Sequence, residues 1–451
     1  MGFECSRVDE ILTRQSQPLC AAHWSASLPI RLLFPIISLL SGVALLVVGM
    51  SLLFSAIGAQ AGIAKFSTTV TGLINSAYFA GFVLGTYWCP VIIRSVGHIR
   101  AFAAMASILS TLPILHVLWT SPWFWGFLRL STGICLVGLY VVVESWLNVV
   151  AKPKHRGKIF ASYMAVSGVS SAIGQGLILA GDKLGFFPFA LVSILFSFAL
   201  VPLTLTPVDD PESFPAPKFS WRELFNLSPV GVTAAVASGL LSSAVYSMGT
   251  VFGHGVGMSD TGVAIFMVGM ILGGAACQWP IGHFSDRYDR CWVLFWVSAM
   301  AALIAGAGFY IAKEQEQLLV GVGVVLGGLI FAIYGLSVAH VNDLIDPAKT
   351  LEVTGGLLLL YGIGATVGPT LAGGVMDYLG AEGLMVYFST ILGGLALATW
   401  YLVTTRRPST RARADHPDFV ATVNSSQAML QIDPRAHRAD TASVADKSPI
   451  N

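Results

Sequence analysis

Charge is what this chain has least of. Of 451 residues only 11% are Asp, Glu, Lys or Arg, against 55% hydrophobic residues, and the mean hydropathy is +0.74. So few charged groups cannot cover a soluble globule of this size, which excludes two or three soluble domains and leaves a polytopic membrane protein. Cysteine is also sparse. Cys5, Cys20, Cys89, Cys135, Cys277 and Cys291 show no Cys-x-x-Cys or other metal spacing, so they read as small packing residues rather than redox or metal ligands. No Walker loop and no His-Glu-x-x-His motif occurs, so ATP coupling and metal-assisted hydrolysis lack their signatures. No cofactor, metal or nucleic acid is expected. The net charge of +1 says little, and what matters is where the charges sit.

What the chain does have is long apolar runs. A membrane-spanning helix needs about 20 mainly apolar residues. Twelve such runs occur, near 32–57, 68–93, 101–120, 123–150, 159–181, 186–206, 229–253, 261–282, 292–312, 318–344, 353–376 and 383–405. The first is too long for a signal-peptide core and follows Glu4, Asp9 and Glu10, so it is expected to be retained. The fold class is therefore all-α, with twelve spans. The division is a segment 1–31, six spans in 32–207, a linker 208–228, six spans in 229–405, and a polar tail 406–451 expected to be disordered.

The connections set the orientation, because Lys and Arg gather on the cytoplasmic side. One set of alternate loops holds Arg94, Arg100, Lys152, Lys154, Arg156, Lys158, Lys218, Arg222, Arg287, Arg290 and Lys349. The other holds only Lys65, Lys183 and Lys313. Both termini are therefore expected in the cytoplasm.

The halves repeat. Tyr140 and Asn148 fall on Tyr334 and Asn342 at a separation of 194 positions, Pro153 falls on Pro347, and GDKLG ending at Gly185 lies against MDYLG ending at Gly380. An offset kept to within a few residues over almost a hundred positions points to a parallel duplication of six spans, the plan of one large class of secondary transporters. PVIIRSVGHIR from Pro90 and GHFSDRYDRCW from Gly282 occupy matching gaps, with Arg94 where the later copy has Asp286.

Gly282-His-Phe-Ser-Asp286-Arg287-Tyr-Asp-Arg290 resembles the Gly-x-x-x-Asp-Arg-x-Gly-Arg signature of the major facilitator superfamily, departing at Asp289 where Gly is usual. Arg129-x-x-x-Gly133 in span four and Gly364-Ala-Thr-Val-Gly368-Pro369 in span eleven are similar to two further patterns of that superfamily, the second better known from span five of antiporters. SAYFAGFVLG from Ser76, VVVES from Val141, HRGKIFASYM from His155 and CQWPIG from Cys277 resemble the YcaD type of bacterial inner-membrane permease. The resemblance covers about 32–405. It implies two six-helix bundles rocking about a midplane site, with spans one, four, seven and ten facing the cavity. It also implies a chain that acts as a monomer on a small-molecule substrate.

On those spans the residues can be read directly. Span seven carries Gly239, Ser243, Tyr246, Thr250 and His254 at helical spacing, and span ten carries Tyr334 and Ser337 one turn apart. The substrate-cavity candidates are Tyr140 of span four with Ser243, Tyr246, Thr250, Tyr334 and Ser337, against the alternative that small and hydroxyl residues only pack helices closely. Span four buries Arg129 and Glu144 in apolar sequence. Ionisable groups at membrane depth cost a few kcal/mol or more, so they mark a pathway or face a partner. The fifteen positions between them amount to about 22 Å of helix, so each needs its own partner. A desolvated carboxyl favours its protonated form, which makes Glu144 the leading proton carrier, with Tyr140 one turn before it. The rival reading ties Glu144 to the basic loop at Lys152. Arg129, His254 and His340 are the other coupling candidates.

The charge reversal at Arg94 has a counterpart in Glu352, which stands at the repeat-equivalent of Lys158. A crossed cytoplasmic latch follows as an expectation, with Asp286 facing Arg156 or Lys158 and Arg94 or Arg100 facing Glu352, while Arg287 and Arg290 complete the signature. The alternative is solvated loop charges obeying the positive-inside rule. Proton-coupled efflux of a small organic solute leads. Proton-coupled or facilitated nutrient uptake is the runner-up, and a membrane enzyme or a non-transporting sensor is the alternative of another class.

Overall fold

The computed structural model describes residues 30–151, 155–180, 185–204, 221–312, 316–345 and 349–405. The segment 1–29, Lys152, Pro153, Lys154, Asp182, Lys183, the stretch 205–220 with Lys218, Lys313, Pro347 and the tail from 406 lie outside them. The described chain is all helical. The first six long helices are α1 (Ile30–Ile63), α2 (Thr68–Val96), α3 (His98–Leu118), α4 (Pro122–Val150), α5 (Arg156–Gly176) and α6 (Phe187–Thr204). A two-turn helix Trp221–Leu227 precedes the other six, α7 (Pro229–Gly255), α8 (Asp260–Arg287), α9 (Arg290–Ile311), α10 (Glu316–Asn342), α11 (Thr350–Leu379) and α12 (Gly383–Thr405).

Ten of these are long and apolar enough to cross a bilayer. The other two are α5, rich in Ser and Gly with two cations in its first turn, and α6, whose apolar stretch Phe187–Pro202 is shorter. The expected fifth span ran to position 181, but α5 stops at Gly176 and passes into a single 3-10 turn, Leu177–Leu179. The eighth also differs. Its helix continues past Gly282 to Arg287, so Asp286 and Arg287 lie in the last turn of α8 and only Tyr288 and Asp289 form the connection. Between α2 and α3 the connection is Gly97 alone, at φ 87°, a left-handed conformation that glycine adopts without strain.

The packing repeats. In the first half α1 packs on α5 and α6, and α2 and α3 pack on α4; in the second half α7 packs on α11 and α12, and α8 and α9 pack on α10. These are two six-helix bundles. Large aromatic side chains point outward, among them Trp123 at 86% and Tyr378 at 88% exposure, as expected of surfaces meeting lipid and its interface.

Glycine sets the closest approaches within each bundle. A Cβ on Gly81 would sit 2.0 Å from the Leu130 carbonyl oxygen, and one on Gly133 would sit 2.1 Å from that of Tyr78, so α2 and α4 touch backbone to backbone. Gly273 and Gly327 do the same for α8 and α10, against the Val324 and Met270 carbonyls.

The bundles meet along α2 with α11 and α5 with α8, with α1 touching α7. Gly72 packs on the backbone of Pro369, and Gly373 on that of Thr68. Beyond them Asp377, at the end of α11, accepts hydrogen bonds from the Thr68 amide (2.9 Å) and hydroxyl (2.6 Å) and from the Thr69 amide (2.9 Å) and hydroxyl. A carboxylate from one bundle thus caps the first turn of α2 in the other, where the helix dipole favours negative charge. This end of the molecule is closed.

Candidate functional site

Between the bundles lies a cavity of about 700 Å³. Its floor is set by where α1 and α7 converge. Just beyond it, outside the cavity, the Ser55 hydroxyl donates to Gln175 of α5 and accepts from Thr250 of α7 at 3.3 Å, all three side chains being buried. Gly58 packs on Val251 and Thr250. Below this polar knot, Phe54 and Tyr246 approach to 6.4 Å between ring centroids. From there the wall runs down α5 to Gly157 in its first turn, so the cavity opens toward the end where α5 begins.

The wall is aromatic. Phe54, Tyr78, Phe79, Phe82, Tyr140 and Phe160 come from the first bundle, and Tyr246, Phe331, Tyr334 and Tyr361 from the second. The rings form a continuous belt. Tyr140 meets Phe82 at 6.4 Å, Phe82 meets Tyr78 at 6.3 Å, Tyr78 meets Phe54 at 5.1 Å, and Tyr246 meets Phe331 at 5.5 Å. The polar wall groups are serine and tyrosine hydroxyls and the amide of Gln278. The repeat pair Tyr140 and Tyr334 lines it from both halves.

The other cavity candidates lie elsewhere. Ser243 bonds back to the Leu240 carbonyl at 3.3 Å against α11, and Ser337 donates to the Gly231 carbonyl of α7 at 2.7 Å. Gly239 packs on Tyr361 of α11, and Thr250 belongs to the knot above the floor. The stripe read on span seven therefore divides among neighbours, and of its side chains only Tyr246 lines the cavity.

Arg129 is fully buried behind this wall. Its guanidinium stacks on Phe54 at 4.3 Å and on Tyr78 at 4.7 Å, and its Nη2 donates to Asn75 at 3.1 Å. Nε and Nη1 have no hydrogen-bond partner among the described residues. Glu144 is also fully buried and accepts a hydrogen bond from the Tyr163 hydroxyl of α5 at 2.5 Å. It stands one turn beyond Tyr140 on α4, so it lies just behind the cavity wall rather than in it.

The two histidines sit apart from this site. His254 faces Asp260 at 3.1 Å near the closed end, with a third of its side chain exposed. The ring of His340 lies 3.5 Å from the Cys291 sulfur, toward the open end. Of the latch residues, Arg290 donates to Asp343 at 2.7 Å and to Asp286 at 3.0 Å within the second bundle. Arg94, Arg100, Lys158, Arg287 and Glu352 are exposed around the open end, and Arg156 donates to the Ala151 carbonyl. No group of three or more His, Cys, Asp or Glu that could hold a metal occurs among the described residues.

The sequence pattern of the Major Facilitator Superfamily matches residues 39–277 and 253–431. The chain belongs to that superfamily. Within it the chain is 26% identical over 361 residues to an uncharacterized MFS-type transporter of Enterobacter sp. (strain 638), covering 79% of this chain and 93% of the relative. It is 24% identical over the same length and coverage to the MFS-type transporter YcaD of Salmonella typhimurium (strain LT2), so the likeness to the YcaD type holds across the membrane region. The fold matches solved structures too. The nucleoside transporter NupG superimposes with a TM-score of 0.68 at 15% identity, covering 84% of this chain and 100% of that one. A bacterial homolog of the human lysosomal transporter Spinster, inward-facing and unoccupied, gives 0.64 at 15%, with coverage of 92% and 99%. A D-xylose-proton symporter gives 0.63 at 11%, with coverage of 81% and 97%. The chain is a multi-pass secondary transporter of the major facilitator fold.

Proposed function

We propose that this transporter exports a small organic solute across the inner membrane in exchange for protons, with the aromatic cavity as the solute site and Glu144 as the proton carrier. The observation that supports this most is the placement of Glu144, a fully buried carboxyl held by Tyr163 one turn behind the cavity residue Tyr140. A carboxyl there carries one proton and loses its charge in doing so, which couples proton occupancy to the electrostatics of the wall beside the solute. Arg129 is the second coupling group, shaping the field behind Phe54 and Tyr78. Both termini are cytoplasmic in this reading, so the cavity opens to the cytoplasm and Asp377 seals the outer end. The domain division at 32–207 and 229–405, and action as a monomer, belong to the same proposal.

Proton-driven uptake is the second reading, favoured by the names of two fold neighbours, a nucleoside transporter and a D-xylose-proton symporter. Reconstituted protein facing an imposed pH gradient of either sense separates the two. Glu144→Gln keeps the size of the side chain and removes its proton, so it should reduce uphill flux at least a hundredfold, while the protein elutes and melts like wild type. Uphill transport retained in that variant would refute Glu144 as the carrier.

A further inference from the structure

The cavity wall holds no charged group. Among the described residues none of those lining it is Asp, Glu, Lys, Arg or His. Arg129 and Glu144 are both buried outside the wall, the first stacked on wall rings and the second bonded to Tyr163. An ion entering such a space would lose its water without gaining a counter-charge, a penalty that apolar contact does not recover. A cation would also meet the positive field of Arg129 behind Phe54 and Tyr78. An anion reaching for Arg129 would have to displace those same rings. Sugars and nucleosides fail differently. They carry hydroxyls or ring nitrogens on most edges, each needing a partner once buried, and this wall supplies a handful of hydroxyls and one amide. Even of these few, the hydroxyl oxygens of Ser167 and Ser238 are buried away from the space.

Rings are what the wall offers in abundance. At about 700 Å³ the space is of the size that encloses a drug-sized molecule. Phe54 and Tyr246, on opposite bundles, form the only inter-bundle ring contact among the described residues and floor the cavity. A flat solute resting on that floor gains stacking from both halves at once. We infer that the solute is an uncharged, flat aromatic compound with one or two polar groups, held by the ring belt. This rests on reading the cavity as the solute site.

Three naphthyl compounds vary the charge on one ring system, and uridine supplies the polar comparison. The purified full-length protein in detergent is titrated calorimetrically with 2-naphthamide, 2-naphthoate, (2-naphthyl)trimethylammonium and uridine. The neutral amide should bind at least tenfold more tightly than either ion or the nucleoside. Phe331→Ala and Tyr246→Ala should each weaken it at least fivefold, whereas Tyr246→Phe, which keeps the ring, should stay within twofold. Equal or tighter binding of an ion or of uridine, no binding of the amide to wild type, a fivefold loss in Tyr246→Phe, or unchanged affinity in both alanine variants would overturn the assignment. Tyr310, exposed on the outer surface, serves as the control position for alanine. No gradient is present in this assay. A failed pH-gradient experiment would therefore count against proton coupling and leave the solute class standing, while failed binding to wild type would count against the solute class, and binding that both alanine variants leave unchanged would count against the cavity as the solute site.

Discussion

Arg129 has no carboxylate within ion-pair distance among the described residues, only two ring faces and one amide oxygen. A buried charge so poorly compensated is a burden on folding, and replacing one with an apolar side chain of similar volume is often neutral or stabilising. Arg129→Met should therefore leave the melting temperature unchanged or higher while transport is lost; a melting point several degrees lower would make Arg129 a structural residue. Asp377 should behave in the opposite sense. Its alanine variant removes a cap worth about 1 kcal/mol, and so shifts the ratio of closed to open forms of this end by a factor of about five. Spin labels at Lys65 and Tyr378 would report that shift as a longer-distance population, and an unchanged distance distribution would show that the cap does not hold this end. Tyr140, Tyr246 and Tyr334 could be chosen from sequence because the family resemblance pointed to spans four, seven and ten, and helical spacing then picked out one face of each. Ser243 and Ser337 had the same credentials, but a hydroxyl settles on whichever carbonyl the neighbouring helix brings near, and spacing alone does not name that neighbour. Phe54, Phe79 and Phe331 went unremarked for a related reason. In a chain this apolar, a ring facing the cavity and a ring facing lipid, such as Trp279, look alike.

At the scale of helices, the crossings α2 with α4 and α8 with α10 are built alike. Gly133 and Gly327 differ by the repeat offset of 194, and Gly81 and Gly273 by 192, the separation of the two charged gaps. Gly133 also ends the Arg129-x-x-x-Gly133 pattern, so that pattern has a packing cause: the glycine lets α2 lie against α4 one turn from the guanidinium. Gly133→Leu or Gly327→Leu must push two backbones apart, and each should lower the melting temperature severely or prevent folding. Gly126→Ala, with nothing within 4 Å of its added methyl, should be neutral. Equal tolerance at all three sites, measured by thermal melting in detergent, would contradict the interlock. Spans were legible because hydropathy over 20 residues is a strong signal. Their ends were not. A helix leaving the bilayer keeps its hydrogen bonds until a glycine or a cap stops it, so α8 runs on through Asp286 while apolarity ends earlier.

At the scale of the whole molecule, the halves match in packing but not in charge. The repeat positions of Arg129 and Glu144 are Gly323 and Val338, so neither of these buried charges on α4 has a charged counterpart on α10. The crossed latch is a prediction about the other state, in which the now open end closes. Asp286→Lys should impair transport and Arg156→Asp should partly restore it, with Arg94→Glu and Glu352→Arg as the second pair. Strictly additive losses in both pairs, read from a double-mutant cycle of transport rates, would leave the latch without support. The architecture of two bundles was readable from the repeat, whereas the seal at Asp377 was not, because it joins residues 309 positions apart that no periodicity relates. That seal has a mechanical consequence. With one residue between α2 and α3 and two between α8 and α9, these connections have almost no slack to absorb a displacement, so each hairpin turns as a stiff lever. The 29 residues of α2 make a rod of about 44 Å, and tilting it by about 3° about its middle carries its end through about 1 Å. Hydrogen bonds of 2.9 Å do not survive that stretch. The clasp is therefore brittle: its hydrogen bonds break at the onset of rocking instead of stretching with it.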